Sequence, residues 1–437
     1  MQIDENYRIT LPKDAFNGYL ADDFVVITIK KNSICYSFLV RIPSKCPSRK
    51  YLQVRRKIPK EAIMALNLHP HDIVEFCEIE KIKIVYAEPF KGNFFDLLSL
   101  KFDNVMIKPF AREGEELICY WKSSKSGGIT HTIELKRYIP INRKIGEFFG
   151  LMQAESRKFG YKFDFTNKLI SEHKLFIEVA EQLGISRSQW SFGVIYNPQL
   201  KEEDVYKIKK LFAQKLCLDE QNGYITKSAT IKNVAYMISI SSTILNLVMN
   251  TVLKTLMEKI HMYAGKNEDF KEFCKGFVLK DLLGDGTIVF PSIHAVQIVV
   301  SEEDKEAQNS IASMFEIFDV ATYKNLNKLY LSTNFDSILW FLQNEAFLGH
   351  GENRKKLESY AKRNFYFNVL EKRIKHINSK VDAKVFADLI SIKLQSAKRY
   401  LERTHRRGFL QKEKCHGNNF YNITDKGRKF LCTMASL

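Results

Sequence analysis

Lys144-Ile145-Gly146-Glu147-Phe148-Phe149-Gly150-Leu151-Met152-Gln153-Ala154-Glu155-Ser156 and Lys275-Gly276-Phe277-Val278-Leu279-Lys280-Asp281-Leu282-Leu283-Gly284-Asp285-Gly286-Thr287 read as two versions of one element. Each is an apolar segment of helical period that ends in an acid. Gly146, Gly150 and Ala154 form one stripe of small residues, and Gly276 and Gly284 begin another. Small residues at this spacing let two helix backbones approach closely. A crossing there predicts that Glu155 and Asp285 emerge side by side.

Outward from these stretches, helical and extended patterns alternate. Apolar residues recur with helical spacing over 167–183, 202–216 and 242–260, with strand-like runs at Trp190 to Tyr196 and Ile231 to Ile240. The second stretch predicts a helix from Asp269 to Gly284, a strand around Val296 to Val300, a helix from Ala307 to Ile317, a strand at Leu329 to Leu331 and a helix from Asp336. The same theme is presented twice, which sets one repeat at 140–262 and another at 263–350.

The segment before them, 1–139, is β-rich. Phe24-Val25-Val26-Ile27-Thr28-Ile29 and Val105-Met106-Ile107 fit strands, and Lys125-Ser126-Gly127-Gly128 fits a hairpin turn. Arg8-Ile9-Thr10-Leu11-Pro12-Lys13-Asp14-Ala15 is echoed by Arg56-Lys57-Ile58-Pro59-Lys60-Glu61-Ala62. In both, an extended segment meets a proline suited to a first helical turn, followed by an acid that favours a helix N-terminus.

Composition narrows the class. The 437 residues are 45% hydrophobic and 27% charged, the balance of a chain that buries real cores. The longest apolar stretch, Met237 to Leu253, is broken by Ser239, Ser241, Ser242, Asn246 and Asn250, which argues against a membrane span. No secretory signal is visible at the N-terminus. The eight cysteines hold no C-x-x-C pair and read as reduced, mostly buried thiols of a cytoplasmic protein. Of the net charge of +17, residues 351–437 carry +13 and all the rest +4. A compact basic C-terminal region on a nearly balanced body points to a polyanion, with nucleic acid the first choice. Part of that charge, Arg354-Lys355-Lys356, fits the solvated face of a linking helix at 351–380.

Within 381–437, helices at Phe386 to Lys393 and Ser396 to His405 flank a turn, with Ser396 as the N-cap of the second. A hairpin with its tip at Gly417-Asn418-Asn419 follows. This pattern resembles a winged helix, and Tyr421-Asn422-Ile423-Thr424-Asp425-Lys426-Gly427-Arg428 resembles its strand-to-helix close. The resemblance implies Lys398, Arg399 and Arg403 on a recognition helix in the major groove, with Arg406 and Arg407 on phosphates. A protein-docking winged helix is the alternative.

The paired stretches resemble the two motifs of single-chain LAGLIDADG homing endonucleases. Gly150 to Glu155 matches the second half of one motif and Gly284-Asp285-Gly286-Thr287 the other. Phe165-Thr166-Asn167 before a helix closing at Leu183-Gly184-Ile185 resembles the family's strand, Asn-capped helix and Gly-Ile end. The chain departs at Lys280, where a small residue is usual, and at Ser156, which replaces a glycine. The second echo near the N-terminus, with Leu66 to Phe76 behind it, resembles the AbrB-type swapped-hairpin module, with His71 in place of the usual glycine.

These resemblances imply an α+β protein: a β-rich, barrel-like N-terminal module, a pseudo-symmetric double αββαββα core with saddle sheets, and a C-terminal winged helix. They imply Glu155 and Asp285 as ligands of Mg²⁺ (or Mn²⁺), Lys328 as an auxiliary catalytic base or phosphate ligand, and Gly146, Gly150, Ala154, Gly276 and Gly284 as the helix-packing residues. Carboxylates suit a hard cation that assists phosphodiester hydrolysis. The first half has no lysine nearer its equivalent strand than Lys232. Three functions stay open: a double-strand DNA endonuclease acting as a monomer and associated with the nucleoid, a regulator that keeps the core as a DNA reader, as WhiA-type bacterial regulators do, and an intron-splicing maturase acting on RNA. For either acid alone, a purely structural carboxylate is the simpler account; their equivalent places favour metal-site ancestry.

Overall fold

Ile9 and Leu11 turn inward on the first strand, β1 (Arg8–Leu11), and that strand pairs with the second copy of its own motif, β4 (Val54–Lys57). Ile9 stands opposite Arg56, and each lies three residues before its proline, so at this one pair equivalent positions of the two echoes face one another. The computed structural model describes all residues except 12–23, 42–53, 59, 82–86, 103–106, 111–115, 124–128, 159, 293–294 and 416. The expected turn at Lys125 to Gly128, Val105 and Met106, the Pro12 to Ala15 segment, Pro59 and Cys46 lie outside the described residues.

Two compact units make up the chain, Met1–Phe273 and Cys274–Leu437. In the first, β2 (Phe24–Lys31) lies between β3 (Ile34–Arg41) and β5 (Glu75–Lys81), and a short helix α1 (Lys60–Ala65) precedes β5. Val25, Ile27, Ile29, Phe38, Ile58 and Val74 form a core with Ile9 and Leu11. His71 adopts φ 72°, the left-handed region that glycine occupies at no steric cost. Its backbone N–H donates to Ile3 O at 2.9 Å, while Asp72 pairs with Lys31 at 2.7 Å. These bonds hold the turn in place of the usual glycine.

Two further small sheets follow: β6 (Phe90–Lys91), β7 (Phe94–Asp96) and β11 (Tyr138–Pro140) in the order β11-β7-β6, and β8 (Ile107–Phe110), β9 (Leu117–Ser123) and β10 (Ile129–Lys136) in the order β10-β9-β8. The strands before Pro140 therefore fall into four separate sheets, and among the described residues none closes into the barrel expected from sequence.

Helix α2 (Arg143–Glu155) starts where the Asn142 side chain accepts from the Ile145 N–H at 3.0 Å. It leads into β12 (Phe163–Asn167), α3 (Ile170–Gln182), β13 (Ser191–Tyr196), α4 (Glu202–Leu216), β14 (Gly223–Lys227), β15 (Val234–Ile240) and α5 (Thr243–Lys259). The sheet order is β12-β15-β13-β14, with β13 and β14 parallel. A one-turn helix α6 (His261–Ala264) leads to α7 (Glu268–Asp285), which contains the boundary between the units.

From α7 the chain runs through β16 (Gly286–Ser292), β17 (Ala295–Ser301), α8 (Lys305–Glu316), β18 (Thr322–Asn325), β19 (Lys328–Leu331) and α9 (Phe335–Gln343). This is an αββαββα unit with sheet order β16-β17-β19-β18 and antiparallel neighbours throughout. The expectation of two equivalent halves fails here. In the first half α3 replaces the hairpin between the first two strands, and the α4 crossover makes a parallel pair, which a short hairpin cannot do.

The stretch expected as a linker packs as α10 (Gly351–Arg363) and α11 (Phe365–Ile374), burying Leu357, Ala361, Phe367, Leu370 and Ile374. Asn353 is buried and fastens α10 to β16: its Nδ2 donates to Gly286 O at 3.0 Å and its Oδ1 accepts from the Ile288 N–H at 3.3 Å. Lys355 is solvated as expected, whereas Arg354 donates to Glu358 and to Ala346 O. The chain ends with β20 (Val381–Asp382), α12 (Ala383–Leu389), α13 (Leu394–Arg406), β21 (Leu410–Cys415), β22 (Asn418–Ile423) and α14 (Asp425–Ser436), the strands ordered β20-β22-β21. Of the described cysteines only Cys274 is buried, so the expectation of mostly buried thiols is corrected: Cys35, Cys77, Cys217 and Cys432 are exposed. Among the described residues no helix is long and apolar enough to cross a membrane.

One buried group in the first unit carries a measurable consequence. His173 on α3 has no exposed surface, and its ring sits between Phe165, Phe212 and Tyr236. Nδ1 lies 2.9 Å from Leu169 O and Nε2 3.0 Å from Tyr236 O. The two carbonyls favour the protonated ring, but burial outweighs them and brings its pKa down to about 4. The unfolded chain, with a value near 6.5, therefore binds the proton first as pH falls. This contribution to stability is complete above about pH 6.5 and is lost progressively toward pH 4, amounting to about 3 kcal/mol. Urea unfolding between pH 7 and 4 should show it, and His173→Gln should flatten that part of the profile.

Candidate nucleic-acid interface

The two sequence-predicted acids both sit at helix ends. Glu155 is the last residue of α2 and Asp285 the last of α7, and both are half-buried. Asn167 Nδ2 donates to Glu155 Oε1 at 3.2 Å, while Asn167 Oδ1 accepts from the Leu169 N–H at 2.9 Å. Asn167 is thus the last residue of β12 and not the N-cap of α3, which is Leu169. Sequence reasoning gave it a capping role and missed its bond to the acid. The expected close of α3 is present: Gly184 has φ 96° and the Ile185 N–H donates to Ala180 O at 2.9 Å.

The small residues divide by position. A Cβ on Gly146 would lie 2.1 Å from Phe273 O, so α2 meets the backbone of α7 there with no room for a side chain. The Phe149 and Phe273 rings stand 6.4 Å apart beside that approach. Gly150 and Gly276 are buried, whereas Ala154 and Gly284 are half-buried, as is Lys280. One residue past Asp285, a Cβ on Gly286 would meet Leu282 O at 2.1 Å. Only glycine lets α7 pass directly into β16.

β16 to β19 present an open face in register rows. Thr287, Val299, Tyr330 and Tyr323 stand opposite one another across the four strands, and Ser301, Lys328 and Asn325 form the next row. Lys328 is exposed at the start of β19, where the sequence expectation put it. A depression of about 390 Å³ lies on this face, lined by Gln297, Tyr323, Asn325, Tyr330 and Thr333 among others. Aromatic rings beside amide and hydroxyl groups suit stacking and hydrogen bonding to nucleobases. In the first half the corresponding row is Thr166, Met237, Gly193 and Tyr224. The Tyr224 ring lies on Gly193, where a Cβ would be 2.7 Å from it.

At the C-terminus, Lys398, Arg399, Arg403 and Arg406 are exposed on α13, a basic helix face open to a polyanion. Ser396 falls inside the first turn of α13 and not at its N-cap, because the helix starts at Leu394. Arg407 is corrected more sharply. Its guanidinium carbon stands 4.4 Å from the centre of the Tyr366 ring and 5.1 Å from that of Phe335, and its Nη1 is buried. It joins the C-terminal helices to α9 and α11 beside the packed rings of Phe335, Phe367, Phe409 and Phe430. Arg407→Ala should cost about 1–2 kcal/mol of stability through lost cation–π and packing contacts. If the basic face of α13 binds duplex DNA, the salt dependence of that affinity should stay as in the wild type; fluorescence anisotropy at several salt concentrations checks it.

Among the described residues no group of three or more His, Cys, Asp or Glu side chains is placed to hold a metal ion. No protein-family model matches this chain, and no curated protein matches it.

Proposed function

We propose that this protein is a site-specific duplex-DNA endonuclease of LAGLIDADG type, hydrolysing phosphodiesters with a divalent metal. The observation that carries this reading is the α7-to-α9 unit. There an acid at a helix end leads through a side-chain-intolerant glycine into an αββαββα unit whose open sheet face carries Tyr323, Tyr330, Gln297, Asn325 and Lys328. Glu155 and Asp285 are the metal-binding acids of this reading. Magnesium is ordinarily held by one or two carboxylates with water and substrate phosphates, so each acid has the chemistry of a ligand for it. When bound, it supplies Lewis-acid polarisation of the phosphate and lowers the pKa of its water.

The chain's own groups do the rest. Asn167 orients Glu155, the open sheet faces read base edges, and Lys328 offers a cation to the phosphate. The exposed basic face of α13 acts as the recognition helix of a winged helix, with Lys398, Arg399, Arg403 and Arg406 on the duplex. The antiparallel pairing of β1 with β4, with Ile9 opposite its echo equivalent Arg56, supports an AbrB-like N-terminal module.

A non-cleaving DNA-binding regulator is the second reading. It is favoured by the altered topology of the first half and by the absence of any lysine from β15. Selection of bound duplexes from a randomised pool, followed by Mg²⁺, separates the two. Defined cuts establish the endonuclease; tight selective binding with intact DNA establishes the regulator; no binding rejects both.

A further inference from the structure

The segment between Glu155 and β12 has no counterpart in the second half, where Asp285 is followed at once by β16. Its seven residues, 156–162, include Arg157, Lys158 and Lys162. Two residues past Glu155, the Arg157 side chain is 71% exposed while its Asp164 partner is only 3% exposed. The Arg157 backbone N–H donates to Asp164 Oδ1 at 3.3 Å, and Nε lies 3.2 Å from Oδ2. Among the described residues Asp164 Oδ2 has no hydrogen-bond partner, so the side chains meet as an ion pair through one nitrogen, and most of the Arg157 side chain stays in solvent. The ion pair keeps the guanidinium over the start of β12 and leaves most of it open to a second anion, and phosphate geometry matches its fork of N–H groups.

We infer that Arg157, held by Asp164, is a phosphate-binding positioning residue of the first half, gripping a backbone phosphate of duplex DNA beside Glu155. It supplies the cation that β15 lacks and that Lys328 offers in the second half. This inference rests on the DNA-binding reading above. Lys328 stands on a strand and Arg157 on the chain segment after the helix, so the two halves place their cations differently.

The test uses the full chain and its selected duplex, with single neutral methylphosphonate linkages moved along each strand. Wild type should lose affinity about tenfold at one linkage near the centre of the site, and Arg157→Ala should be insensitive at that same linkage. Its log affinity against log salt should also flatten by about 0.9, the value for one phosphate contact. Arg157→Lys should restore the slope, because a point charge remains. Arg157→Ala takes the cation from the buried Asp164 carboxylate, so the thermal midpoint of each variant is measured and binding is compared well below it. If the variant and wild type respond alike at every linkage, Arg157 holds no phosphate and the inference fails while the DNA-binding reading stands. If wild type binds no duplex, both fall together.

Discussion

Gly146→Val is expected to destabilise the first unit by about 3 kcal/mol or more, lowering its thermal midpoint by roughly 6–12 °C. The reason is local. A Cβ at this position would sit 2.1 Å from Phe273 O and 2.8 Å from its carbonyl carbon, and these are backbone atoms of a helix. A flexible side chain can rotate away from such a contact, but a helical carbonyl moves only with its helix. Relief requires α2 and α7 to separate, which also opens the packing of Phe149 against Phe273. Gly265→Ala is the control, since a Cβ there meets nothing within 4 Å and its φ of −71° suits any residue. That change should fall within about 0.5 kcal/mol of wild type. Equal effects at the two sites, read by thermal unfolding followed in the far ultraviolet, would mean that the close approach of α2 and α7 is not a determinant of stability.

Much of this arrangement is legible from the residues, for identifiable reasons. Helical periodicity is a local property, so α4 is read from sequence at its bounds, and α2, α7 and α8 within a few residues. The small residues of α2 announce a close helix approach, and Gly146 makes one. What the sequence hides is pairing. β14 and β18 are short, half-exposed strands whose apolar content is too low to stand out, and they become strands only through their neighbours. Sheet order is non-local too: nothing within 223–227 says that it lies parallel to β13. The repeat is therefore visible as an alternation of elements, while the divergence of its two sheets is not.

The candidate site divides in the same way. Glu155, Asp285 and Lys328 are marked by position in a pattern. The ties that hold such groups, Asn167 to Glu155 and Arg157 to Asp164, join residues whose spacing has no periodic meaning. Arg407 shows the opposite error. In the sequence it is one more arginine in a basic run, and only the folded arrangement of Phe335 and Tyr366 reveals an aromatic cage around it. Net charge identifies a region suited to polyanions but does not say which cations are spent on internal packing.

The double substitution Glu155→Gln with Asp285→Asn separates charge from shape at the two helix ends. Both changes keep side-chain volume, and a glutamine carbonyl can still accept from Asn167, so the bond that now measures 3.2 Å need not break. Both acids are half-buried, so water reaches the sites where their charges are removed. Stability should hold within about 1 kcal/mol. On either DNA-binding reading, duplex affinity in the absence of metal should be equal or slightly higher, since the protein has lost two negative charges. On the endonuclease reading, Mg²⁺-dependent cleavage of the selected duplex should fall by more than about a hundredfold, because neutral amides hold far less well the cation that stabilises the transition-state charge. Single-turnover cutting under saturating protein reads that loss without interference from binding. If the double variant cuts at the wild-type rate, both carboxylates are structural helix ends and the hydrolytic centre lies elsewhere. If it binds and cuts less while Lys328→Met also cuts less, the groups lost in the first half and the second serve one reaction, which an inherited but idle motif has no reason to preserve.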